Sequence, residues 1–245
     1  MDNDTKASLY HSKPYMAAAS AMTTFKPINA IHQHLCAFHE YSQDRTRHLE
    51  AHHYCTHLTH EFHQCIIYDS DQPNAKLIGI EYIVSEKIFD SLPAEEKRYW
   101  HSHKYEVESG YLQMQANSLV PGAWFYSGAV TDIAEQPAIL EIHKTYGKTI
   151  HTWPVDISPD LPLGPPNLMV SYTGEGQGPP PEMIKARDEK CGMDTQAKRK
   201  LRASYLPEYE VRAEADQWEK TGKGIVFEAK EVPFKPYDGP GSTQV

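Results

Sequence analysis

The sequence predicts an α+β protein: a mostly antiparallel β-sheet or barrel-like core with flanking helices. Three observations carry this. Runs rich in Ile, Val, Tyr and His recur at strand length between residues 28 and 172, and Pro, Asn and Gly punctuate them. Polar helical signatures gather beyond a Gly/Pro-rich stretch, "TGEGQGPPPEM" (173–183). The 245 residues are 40% hydrophobic and 11% aromatic, which suits one large core domain with appendages.

Residues 1–24 are polar and rich in small side chains and read as a flexible N-terminal arm. "INAIHQHLCAFHEY" (28–41) is β-like, and "RHLEAHHYCTHL" (47–58) is a second extended segment. "FHQCIIYDS" (62–70) and "KLIGIEYIVS" (76–85) flank "DQPNA", a hairpin signature. Ser85 is placed to cap a helix that restarts at Pro93. "WHSHKYEVESGYLQM" (100–114) then returns to strand-like alternation, and a loop containing "VPGAWFYSGA" (120–129) follows. Residues 131–145 read as a helix broken at Pro137, 149–157 as a strand, and "SPDLPLGPPNLMVSY" (158–172) as a proline-rich passage into the last core strand. The core domain is therefore 25–173. Residues 174–245 are a linker and a polar helical C-terminal extension, with "GIVFEAKEV" (224–232) as a closing strand.

Charge narrows the partners. Residues 179–245 carry 12 basic and 12 acidic side chains, so the whole net charge of −9 lies in 1–178. An acidic body argues against nucleic acid. The basic run "KRKLR" (198–202) is a solvated helix face or a weak contact for anionic lipid. No apolar run reaches the roughly 20 residues of a membrane span, and no secretory signal is visible, so a cytoplasmic protein is expected. Cys36, Cys55, Cys65 and Cys191 form no CxxC pair and are expected as reduced thiols, Cys55 and Cys65 as apolar strand residues.

Histidine is the distinctive feature. Nine of the 14 lie between residues 32 and 63. Along an extended 50–58, His53, Cys55 and His57 share one face. In "WHSHKYE", His101 and His103 project from one face of a strand, with Glu106 close behind. An HxH pair followed by a carboxylate resembles the ligand set of cupin-like metalloproteins. Two imidazoles with an oxygen donor suit divalent Fe, Mn, Zn or Cu. His53, His101 and His103 are thus the predicted metal ligands, with His39 and His57 completing the set and Glu106, His52 and His151 as acid/base groups. His60 and His63 are expected on the surface beside a turn, His11 and His143 as bland, and Tyr54, Tyr68 and Tyr82 as packed in the sheet. A Cys–His nucleophile using Cys36 or Cys55 is weaker, since neither thiol has a helix N-terminus to activate it. "GEGQG" lacks the GK[ST] of a nucleotide loop, and no GxSxG occurs.

"HLCAFHEYS", "EAHHYCTHL", "QCIIYDSD", "AKLIGIEYIVSEKIFDSLPAEEKRYWHSH", "YEVESG", "TYGKTIHTW" and "LPLG", in this order, resemble the oil body-associated protein family of plants and fungi. The resemblance implies an intracellular protein linked in plants to seed oil bodies, and implies no defined reaction. His39, His52, His53, His57, His101, His103, Glu106 and His151 fall within the family's motifs. The chain departs from the family at "PVDISPD" (154–160), where the family reads "QVDRGD", so no role of that Arg carries over. The expectation is a metal-dependent protein acting on a small organic substrate. The alternative is a non-catalytic peripheral protein of the lipid droplet surface in which the His cluster is structural.

Overall fold

In the computed structural model, residues 2–10, 12–115 and 129–235 are described. β1 (Gln33–Tyr41) and the 16-residue β2 (Asp44–Thr59) form a hairpin, with Leu35 opposite His53 and His39 opposite Leu49. β2 also pairs with β3 (Phe62–Tyr68), β3 with β4 (Leu77–Ser85), and the expected hairpin around "DQPNA" is present. Ser85 caps α4 (Glu86–Ser91) by accepting the Ile88 amide, and α5 (Ala94–Lys97) restarts after Pro93. β5 (His101–Ser102), α6 (Lys104–Ser109) and β6 (Gln113–Met114) follow, then α7 (Ala129–Ile142), β7 (Thr145–His151) and β8 (Asn167–Val170). Among the described residues every strand pairing is antiparallel. The order β2-β3-β4-β7-β8-β1, closed by the β1–β2 pairing, makes a six-stranded barrel with β5 and β6 added to it. Closure removes exposed sheet edges.

Because side chains alternate across a strand, the odd-numbered residues of β1, β2, β3, β4 and β7 share the barrel interior. One end is apolar: Leu35, Ala37, Cys55, Cys65, Ile83, Val107 and Leu112 pack with Ile139 and Ile142 of α7. Towards the other end lie Tyr41, Leu49 and Met169 beside Ala51, Ile67 and Ile78, the last at the bulge that shifts the β3–β4 register. Between them the same strands place His39, His53 and Glu81, so a polar layer is held inside an apolar barrel.

Several expectations are corrected. Residues 100–114 are not one strand: after two strand residues the chain turns into α6, which Gly110 ends at φ +82°, a conformation a side chain would strain. The helix α7 runs through Pro137 without a break; the carbonyl that loses its amide belongs to Ile133, which is 68% exposed and open to water. The strand at 149–157 stops at His151, before Pro154. Residues 224–232 contribute only a single bridge, Val226 to Asn167, because the short β8 offers them no longer edge. Tyr82 is exposed. Cys55 and Cys65 stand directly opposite in the β2–β3 register and form a disulfide, not free thiols. The loop 120–129 and the tail from 236, like His11, lie essentially outside the described residues.

At the N-terminus, where an arm is expected, α1 (Asn3–Leu9), α2 (Lys13–Met22) and α3 (Lys26–Asn29) bury no residue. In the C-terminal part, α8 (Pro181–Cys191), α9 (Thr195–Arg202) and α10 (Gln217–Thr221) lie against the barrel. Two of their arginines, Arg187 and Arg202, are fully buried. The basic run of α9 is largely occupied internally: Lys198 pairs with Asp132 and Glu135, Arg199 with Glu175, and Arg202 with Glu135.

Candidate metal centre

Seven titratable side chains meet inside the barrel: His39 from β1, His53 from β2, Glu81 from β4, His101 and His103 at β5, Glu106 from α6 and His151 from β7. Each is 3% exposed or less. His53 Nε2 lies 2.9 Å from Glu81 Oε2 and 3.2 Å from His39 Nε2. Glu81 Oε1 lies 3.2 Å from His103 Nε2 and 3.5 Å from His101 Nε2, and His101 Nε2 is also 3.5 Å from Glu106 Oε1. Two donors bound to one ion at about 2.1 Å stand roughly 3–3.5 Å apart, so these separations are those of a ligand shell.

The hydrogen-bond accounting points the same way. The Thr145 hydroxyl donates to the Ile142 carbonyl (2.7 Å), so its oxygen accepts from His103 Nδ1–H at 2.8 Å. That fixes the His103 tautomer: a neutral ring turns a bare Nε2 lone pair towards a carboxylate oxygen. Only a second proton or another cation relieves the clash. Both ring nitrogens of His101, Nδ1 of His53 and Oε1 of Glu106 are buried without a hydrogen-bond partner. Stranded polar atoms at this depth are costly, and two of these, His101 Nε2 and Glu106 Oε1, face the layer where a ligand would engage them. Room for one is built in at Gly147, where a Cβ would overlap Glu81 Oε1 and stand 2.8 Å from both His101 Cε1 and His103 Nε2.

Electrostatics follows burial and pairing. Burial holds the His39 ring well below its ordinary range, aided by the neighbouring His53 and His151. Burial also pushes His101 and His151 down to about 3. It raises the Glu106 carboxyl to about 7. For Glu81 burial works upward, but the hydrogen bonds and charges of His103 and His53 overcome it and leave the carboxyl well below the usual carboxylate range. For His103 burial works downward, and the Glu81 hydrogen bond and charge reverse it. Burial thus favours neutral rings at His39, His101 and His151, and pairing keeps Glu81 ionised, the forms that ligate metal, while Glu81 pulls His103 the other way.

Of the residues singled out in the sequence, His39, His53, His101, His103, Glu106 and His151 come together here. His52 and His57 do not. His52 points to the opposite face of β2, where Nε2 meets Glu50 (2.7 Å) and lies 3.9 Å from Cys36 Sγ. His57 shares the inward parity of His53 but sits four residues, about 13 Å, further along the strand. There it stacks on His63, ring centroids 3.6 Å apart. His63 is buried, not superficial, and pairs with Glu141; His143, expected as bland, is buried and pairs with Glu108. Burial pushes the Cys36 thiol up to about 12, the reverse of activation. Glu81, the centre of the constellation, was not singled out by its sequence; its inward place between Gly79 and Ile83 on β4 was the available signal.

Residues 25–206 match the family described as "Protein of unknown function (DUF1264)". The chain is 44% identical to oil body-associated protein 1B of Arabidopsis thaliana, over 93% of this chain and 88% of that protein. It is 42% identical to oil body-associated protein 1A of Zea mays (92% and 86%) and 39% identical to protein 2A of that plant (89% and 82%). The chain belongs to the oil body-associated protein family. No solved structure matches it. Among the described residues of this family member, no helix is long and apolar enough to cross a membrane. Several of its His, Glu and Cys groups could hold a metal ion, two of them in the buried layer and both including Glu81.

Proposed function

We propose that this chain is a non-catalytic, peripheral protein of the lipid droplet surface whose barrel is built around a buried divalent transition-metal centre of Zn, Fe, Mn or Cu. The names of its relatives favour the droplet. So do the first three helices, on and beside which Leu9, Tyr10, Tyr15, Met16, Met22, Phe25 and Ile28 stand 42% to 87% exposed. An apolar surface of this kind marks a contact, and the same three helices carry Lys6, Lys13 and Lys26, side chains that would meet anionic headgroups. The observation that carries the metal is convergence: nitrogens of His39, His53, His101 and His103 gather around the two oxygens of Glu81, with His101 Nε2 and Glu106 Oε1 buried there and unpartnered. His39, His53, Glu81, His101 and His103 would hold the ion, which supplies positive charge and a cross-link between strands.

Two measurements test this. Full-length protein is floated with triacylglycerol droplets coated in phospholipid; it rises with the droplets, and Met16→Asp with Phe25→Asp leaves it at the bottom. Wild type remaining at the bottom overturns the droplet reading. Elemental analysis finds bound transition metal in the purified protein, reduced in His53→Ala and in His101→Ala. Metal at trace level, unaffected by these substitutions, overturns the metal reading.

A second reading, a metal-dependent enzyme acting on a small organic substrate, is favoured by Glu106. Its unpartnered Oε1 at the edge of the donor set and its carboxyl near 7 suit proton transfer. His151, behind His39, is the other group placed for that work. Azide shifting the visible spectrum of the Co(II)-loaded protein supports an open coordination position; an unchanged spectrum removes this reading.

A further inference from the structure

The donors of the buried centre divide into two sets that meet in one carboxylate. His39 and His53 lie with Glu81 in one, His101 and His103 with Glu81 in the other, and within each set the ligand atoms lie inside 4.8 Å of one another. The division runs through the carboxylate itself. Oε2 faces His53 at 2.9 Å, while Oε1 faces His103 at 3.2 Å and His101 at 3.5 Å. We propose that the centre holds two divalent transition-metal ions bridged by the Glu81 carboxylate, one bound by His39 and His53, the other by His101 and His103.

Each half is built like a separate ligand set. A ligating imidazole is normally oriented by a partner on its other nitrogen, and each half has one: His151 Nε2 lies 3.1 Å from His39 Nδ1, and Thr145 Oγ1 lies 2.8 Å from His103 Nδ1. Glu106 Oε1, 3.5 Å from His101 Nε2 and without a hydrogen-bond partner, adds an oxygen to the second half only. The side chain omitted at Gly147 would intrude on that same half, against Glu81 Oε1, His101 and His103. A single ion placed in either half would leave the other with two imidazole nitrogens converging on a carboxylate oxygen. Bridged pairs in proteins hold their ions about 3.5–4 Å apart, a span that one carboxylate bridges through its two oxygens.

The inference rests on the metal reading above, and the experiment separates the two. Full-length protein is stripped with chelator, loaded with Zn(II), freed of excess ion and assayed for zinc per chain. Two zinc ions are expected in wild type and in the His52→Ala and His57→Ala controls, and one in His39→Ala and in His103→Ala. Cu(II) loading gives a second readout in folded wild type: paired ions broaden the electron paramagnetic resonance signal, which sharpens in His39→Gln. No zinc in wild type overturns the metal reading itself. One zinc in wild type, or a sharp copper signal, overturns only the pair. Two zinc ions that fall to one in the His57→Ala control place the second ion elsewhere and overturn the bridge.

Discussion

Two of the polar layers buried among the described residues settle their hydrogen bonds differently. Under the C-terminal helices, Arg187 spends its guanidinium on the Tyr111 carbonyl, Thr195 Oγ1 and Asp188, and stacks on Phe38. Arg202 serves the carbonyls of Val107 and Leu112 and pairs with Glu135, leaving only its Nε without a partner. Those arginines are mortar: they join α8 and α9 to the turn between α6 and β6. Inside the barrel, by contrast, Glu81 is crowded by nitrogens while both nitrogens of His101 and one of His53 have nothing. A buried polar layer that closes its own hydrogen bonds holds a fold together. One that leaves donors converging and unmet is shaped for something else.

That contrast can be broken in four ways. The largest effect is expected at the seam. Arg202→Met strands two buried carbonyls and leaves Glu135 to Lys198 alone, and should cost about 3–5 kcal/mol in urea unfolding, equally with and without chelator. Chelation of wild type should lower stability by about 2.7 kcal/mol if free metal stands near 100 times its Kd, seen as a fall in Tm. A chelator-insensitive Tm erases the difference between the layers. Gly147→Ala pushes a methyl group against Glu81 and should cost roughly 1–3 kcal/mol while lowering bound metal. The smallest effect is a pH dependence from outside the centre. Burial and the neighbouring His57 hold His63 down at about 4, below the 6.5 of the unfolded chain. Its contribution is therefore complete above pH 6.5 and lost as pH falls towards 4. The loss is on the order of 1–2 kcal/mol, read from urea midpoints at pH 7 and 4.5 and flattened in His63→Phe.

Much of the architecture is legible in the residues. Turn chemistry between 70 and 76, the Ser85 cap and the β-rich runs up to residue 85 announce the hairpins, and the HxH of 101–103 announces one edge of the centre. Glu81 is hidden because "LIGIEYIVS" is apolar on both faces, and alternation then cannot say which face turns inward. His57 misleads for a related reason: parity along β2 is readable, but depth along the barrel axis depends on register with β1 and β3. The Cys55–Cys65 link is likewise a matter of register, since a spacing of ten residues pairs two positions only once the turn at 60–61 is known. The strand expected at 224–232 has the right composition but finds only Asn167, at the end of β8, to pair with.

The length of chain between the first and last donors has a kinetic meaning. His39 and Glu106 bracket the candidate ligands, and His151, which backs His39, arrives later still. No early fragment of the polypeptide therefore owns a complete set. A chain emerging from the ribosome must release β7 and then β8 (Asn167–Val170), some 60 residues past Glu106, before the barrel can shut around that layer. The complete donor set is thus a product of folding rather than its seed.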